Sequence, residues 1–247
     1  MKQLIQAEWY KIQRTKTLGY LCLAIFGVKT ISLISAFALK KNIGFGQEGV
    51  LKIGDAFSAI WIGAFAGFFI ASEFQNGTIR NVLSLGKNRM YVFLAKVIAV
   101  IIAIVVMLFV MAITQTIGQT VANKFGSMTI GVFIPYFFFN FFNMVIYHLP
   151  YAGFFTMFAF MSRKPGLTIL LAFGYETVIL TIGGMLQNYP AMNLKPFLSW
   201  FPPYYYTKID EFLGNWTFIT NGYIVSIVFT LVPILIGIYK FKNTDIK

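Results

Sequence analysis

Six long apolar segments, near residues 18–39, 54–71, 92–118, 130–161, 167–186 and 221–239, leave little chain for anything else. About 20 consecutive apolar residues make a helix long enough to cross a bilayer. A chain built this way is therefore expected to be an all-α integral membrane protein with six spans. Hydrophobic residues make up 58% of it and charged residues 11%, against about 25% charged in a soluble domain. The second segment is short, and the fourth is long enough to tilt, kink or break at Pro135 or Pro150. The first could be mistaken for a signal peptide, but it is too long for a signal core and Lys29 interrupts it, so it reads as a span. Cys22, the single cysteine, lies inside that run and rules out an intrachain disulfide.

The basic residues orient the bundle. One set of connections carries Lys2, Lys11, Arg14, Lys16, Arg80, Lys87, Arg89, Arg163, Lys164, Lys240, Lys242 and Lys247. The alternate set carries Lys40, Lys41, Lys52, Lys124, Lys195 and Lys208. This twofold bias predicts that both termini face the cytoplasm. The formal net charge of +12 then reflects topology and contact with anionic lipid, and no compact basic domain points to nucleic acid.

Residues 1–17 read as an amphipathic interfacial helix. Ile5, Trp9 and Ile12 fall at helical spacing, with Lys2, Lys11, Arg14 and Lys16 free to reach lipid phosphates. Residues 18–239 form the six-span domain, and 240–247 a cytoplasmic tail. Between the last two spans, residues 187–220 contain Pro190, Pro196, Pro202 and Pro203, which forbid one continuous helix. Phe197, Trp200, Phe201, Tyr204, Tyr205 and Tyr206 suit the membrane interface. Short broken helices in the outer leaflet are expected there.

Between the second and third spans lies a polar, cationic island, residues 72–91. Asn76-Gly77 can turn the chain, and Thr78 can cap a short helix. Ile79, Val82 and Leu83 give that helix an apolar face, and Gly86 would end it. Arg80, Lys87 and Arg89 are left for lipid or an acidic partner. The order Glu73, Gly77-Thr78, Leu83-Ser84, Arg89, with Lys96 in the next span, resembles the cytoplasmic coupling segment of ABC type-two permeases, the membrane subunits of ATP-driven exporters. The basic amphipathic start is similar to that family too. The resemblance implies that Glu73, Gly77, Thr78, Arg80 and Arg89 couple the spans to an ABC ATPase subunit on the cytoplasmic side. It also implies a second permease subunit, as a homodimer, in a bacterial plasma membrane. The small size and lack of a large outer domain resemble bacterial peptide, bacteriocin-immunity or drug exporters, and amphipathic peptides are the expected cargo. Lipid or drug cargo, or a non-transporting immunity or sensor protein, are the alternatives.

No G-x-x-x-x-G-K-[ST] phosphate loop occurs, and Gly44-Phe45-Gly46 is not followed by Lys-Ser or Lys-Thr. The chain is thus not expected to be an enzyme or to bind a cofactor. ATP and magnesium belong, on the resemblance, to the partner subunit. One His and one Cys offer no metal centre or Cys-His nucleophile.

Within the spans, Ala59, Gly63, Gly67 and Ala71 make a small-residue stripe that suits close helix packing or the lining of a pathway. Asn140, Asn143 and His148 are costly in hydrocarbon and should find partners, His148 as a helix–helix hydrogen bonder. Lys29 and Glu176 lie at matching depths near the bilayer midplane, which predicts that they pair, plausibly between subunits.

Overall fold

The computed structural model describes residues 1–39, 44–52, 56–188, 198–210 and 214–244. The elements are helical and contain no strand among these residues. In chain order they are α1 (Lys2–Arg14), α2 (Thr17–Ala38), a 3-10 helix (Gly46–Lys52), α3 (Ala56–Ala66), a π turn (Gly67–Ala71), α4 (Ser72–Gln75), α5 (Thr78–Ser84), α6 (Arg89–Asn123), α7 (Ile130–Ser162), α8 (Pro165–Asn188), α9 (Pro202–Thr207) and α10 (Trp216–Asn243).

Five stretches are long and apolar enough to cross a membrane: Thr17–Ala38, Ser58–Gln75, Arg89–Asn123, Ile130–Ser162 and Trp216–Asn243. The fifth expected span is α8, whose shorter apolar stretch is Pro165–Ile179. The fourth span does not break: α7 runs through both Pro135 and Pro150. The second span is the shortest of the five, 18 residues over Ser58–Gln75, and runs through the π turn into α4. A π turn adds a residue, and each residue rotates a helix by about 100°. The segment bearing Glu73 is therefore turned relative to a regular continuation of α3.

Two pairings dominate the interior. The small-residue stripe lays α3 against α8. A Cβ on Gly63 would collide with the Ala172 Cβ, and one on Gly67 would stand 2.9 Å from the Pro165 carbonyl oxygen. Ala59 and Ala71 are fully buried. This face packs within the chain. At the second pairing, α7 meets α10 through Gly153, which comes so close to the Thr230 carbonyl that a Cβ there would be 2.6 Å away.

The ends of the bundle differ in charge. At the basic end, Lys87 reaches Gln3 (3.5 Å), and the Arg163 guanidinium lies 5.8 Å from the Phe74 ring. Here α1, the 76–88 segment, the α7–α8 turn and the end of α10 meet. At the opposite end the 3-10 helix tucks against α6, with Gly46 N donating to Lys124 O (3.1 Å) and Gln47 N to Phe125 O (2.8 Å). The expected broken helix appears as α9, with prolines at its first positions, where a missing N–H costs nothing. Pro190, Lys195, Pro196 and Phe197 lie outside the described residues, as do Lys40, Lys41 and Lys247.

Candidate functional site

The basic end is organised around a buried ion cluster. The Lys96 ammonium, on α6, has its side chain 1% exposed. It donates to Glu8 Oε2 (2.7 Å) and Glu73 Oε1 (2.6 Å). Lys11 donates to Glu8 Oε1 (3.2 Å) and to the same Glu73 oxygen (3.1 Å). Two cations thus meet two carboxylates, joining α1, α4 and α6. A charge in such a place is tolerable only when paired: deleting one partner of a buried pair costs about 3–5 kcal/mol. The ammonium also lies 4.8 Å from the Phe69 ring of the π turn, a cation–π contact. Burial would lower the Lys11 pKa, but the pull of Glu73 and Glu8 outweighs it and the value is raised. The contribution of Lys11 is therefore complete below the ordinary lysine range and is lost only as pH rises through its elevated value.

This cluster adds a packed face to α1, carrying Leu4, Glu8 and Ile12, while Trp9 is 46% exposed. Lys11, expected to reach lipid phosphate, is instead spent on Glu8 and Glu73. Glu8 was not singled out in the sequence. The one available signal was Lys96 itself, a lysine inside an apolar span that must have an anionic partner.

The 72–91 segment forms the helix expected of it, with differences at both ends. Gly77, at φ 72°, occupies the N-cap of α5, and Gly86, also at φ 72°, follows its C-terminus. Both are in the left-handed region that glycine enters without strain. Thr78 does not cap α5. It is the first helical residue, and its hydroxyl donates to the Glu73 carbonyl oxygen (3.1 Å), closing the turn from the other side. Ile79 is 1% exposed, with Val82 and Leu83 packed beside it, while Arg80 is exposed. Arg89 is not free. Its guanidinium donates to the carbonyl oxygens of Phe241 (3.1 Å), Lys242 (3.1 Å) and Thr244 (2.7 Å). Carbonyls at a helix C-terminus lack intrahelical donors and carry partial negative charge, so a cation suits them. Of the five residues, Glu73 and Arg89 are spent on internal contacts, Gly77 and Thr78 shape the turn, and Arg80 alone presents a charge outward.

A second polar cluster lies between α7, α8 and α9. Glu176, 2% exposed, accepts hydrogen bonds from the Tyr151 hydroxyl (2.8 Å) and the Tyr206 hydroxyl (3.0 Å), which stand 2.9 Å apart. His148 stacks on Tyr206 with centroids 4.8 Å apart, and its Nε2 lies 3.2 Å from Ser58 Oγ on the α3 side. It is the helix–helix hydrogen bonder expected. Asn143 accepts from the Tyr223 hydroxyl, and Asn140 donates to the Tyr136 carbonyl (2.9 Å).

Within the chain no ion pair joins Lys29 and Glu176, two described residues that are 5% and 2% exposed. Tyrosine hydroxyls, which sequence depth arguments do not consider, take the place expected for the ammonium.

A groove of about 500 Å³ opens between α2 and α6, lined by Phe26, Leu33, Ile34, Phe37, Ile117 and Val121 among others, and is almost wholly apolar. Among the described residues, no group of three or more His, Cys, Asp or Glu side chains is placed to hold a metal ion.

Comparison with known families finds a match over residues 4–179, more than two thirds of the chain, to the model described as ABC-2 family transporter protein. No curated protein matches the sequence.

Proposed function

The chain belongs to the ABC-2 transporter family, and from that premise we propose that it is the permease of an exporter driven through α5. As a member of the family it is a membrane transport component of an ABC transporter, and in such systems ATP hydrolysis belongs to a separate subunit. The observation that carries the proposal is the construction of α5. It is seven residues long and set between two left-handed glycines. Ile79 is turned into the bundle and Arg80 out of it. At its base, Glu73 is clamped to α1 and α6. A push on α5 is therefore carried by rigid contacts into two other helices, as coupling to an ATPase requires.

The direction is outward, the cargo hydrophobic or amphipathic, and amphipathic peptides are its favoured form. The α2–α6 groove supports this, because a pocket lined by Phe26, Phe37 and Ile117 rewards only an apolar guest. A second copy of the chain completes the pathway, with both termini in the cytoplasm, as the basic bias of the α1, α5 and α10 ends favours. The test is purification of the tagged chain together with the products of neighbouring genes. The expected result is a bound subunit with a Walker motif, whose ATP hydrolysis rises with an amphipathic peptide. A chain that purifies with no ATPase, in a membrane that still transports, overturns the proposal.

A further inference from the structure

A cleft of about 300 Å³ separates the start of α5 from the α7–α8 turn. Three cations line it: Arg80, Arg163 and Lys164. None of them has a carboxylate partner among the described residues. The one acid in the lining, Glu73, is already shared through Oε1 by Lys11 and Lys96, and its Oε2 is buried without a hydrogen-bond donor. The cleft thus holds uncompensated positive charge beside one acceptor that lacks a donor.

Arg163 is the residue most in need of explanation. It terminates α7 at φ 54°, in the left-handed region that favours glycine. An arginine is strained there, and the strain points to a use for its side chain. The guanidinium is steered over the Phe74 ring, at 5.8 Å, on the α4 side of the cleft. Around the same turn, apolar side chains face outward from the bundle: Met161 is 54% exposed and Leu167 43%. Cations at the foot of a lipid-facing apolar wall fit a ligand with an anionic head and an acyl tail.

We propose that this cleft binds the headgroup of an anionic phospholipid, with the phosphate against Arg80, Arg163 and Lys164. Phosphatidylglycerol carries the net negative charge that these cations answer, whereas the choline of phosphatidylcholine cancels the charge of its own phosphate. The inference rests on the membrane fold and does not depend on what the chain transports.

The test is titration of the full chain in neutral detergent with dioctanoyl phosphatidylglycerol, dioctanoyl phosphatidylcholine or inorganic phosphate, followed by the thermal unfolding midpoint. Phosphatidylglycerol should raise the midpoint saturably, and the other two should not. Arg163→Gly keeps a backbone that glycine prefers, so it should fold as well as the parent while weakening the apparent affinity about tenfold or more. Arg80→Gln should act in the same direction. Lys87→Gln, which removes an exposed cation outside the cleft, should leave affinity within about twofold. An equal loss with Lys87→Gln would reduce the effect to general surface charge and overturn the site. An equal response to inorganic phosphate would overturn the lipid assignment. So would an Arg163→Gly chain that keeps its lipid response but no longer holds its ATPase, because the cleft would then be a protein-docking site.

Discussion

Replacing Lys96 with methionine preserves most of the side chain's length while deleting its charge, and so tests the ion cluster with little change in packing. In the parent, the ammonium is 2.7 Å from Glu8 and 2.6 Å from Glu73, and its side chain is 1% exposed. Without it, two carboxylates share Lys11, whose side chain is 33% exposed. At an effective dielectric constant of about 20, two unit charges 4 Å apart interact by about 4 kcal/mol. Deletion of one partner from a buried pair costs about 3–5 kcal/mol by experience with other proteins. A loss of about 3 kcal/mol or more is therefore expected, read as a lowered unfolding midpoint in detergent. Glu8→Gln in the Lys96→Met background should cost less than it does alone, because it removes one of the stranded charges. A double-mutant cycle should yield a coupling of about 1 kcal/mol or more. A Lys96→Met chain within about 0.5 kcal/mol of the parent, or strictly additive effects, would refute the reasoning.

Gly63→Val should destabilise by about 1–3 kcal/mol through overpacking, since the added Cβ meets Ala172, and Ala172→Gly should recover part of the loss in the same unfolding assay. The exchange Lys29→Glu with Glu176→Lys should assemble no better than the worse single change. Glu176 sits among the hydroxyls of Tyr151 and Tyr206, which offer no site for an ammonium as good as the one they offer a carboxylate. Recovery in the double variant, measured by yield of folded protein, would restore the pairing that the structure argues against.

The spans were legible because they depend on one bulk property, the length of an apolar run, and the α3 stripe was legible because four small residues at a spacing of four define a face. The clusters were only half legible. Lys96 and Glu176 announce themselves as charges in apolar surroundings, but a sequence does not say which distant group answers them. The partner of Lys96 on α1 lies 88 positions away and looks like an ordinary charge on an amphipathic helix. Glu176 is met by Tyr206, in a proline-rich stretch whose aromatics suit the interface equally well. The position of Arg89 was beyond reach for another reason: its acceptors are backbone carbonyls, which every residue carries. Thr78 missed the cap by one residue, because glycine at 77 can take the left-handed geometry that ends the preceding turn.

Contact between α5 and an ATPase is tested most directly by site-specific crosslinking. A single cysteine is placed at Arg80, or at Lys124 at the opposite end, in a Cys22→Ser background, and each chain is treated in membranes with a short thiol-to-amine crosslinker. Arg80→Cys should capture the ATPase subunit, with a yield that changes when ATP is added, and Lys124→Cys should capture none. Capture from Lys124→Cys alone would invert the orientation, and capture from neither would contradict a permease driven through α5.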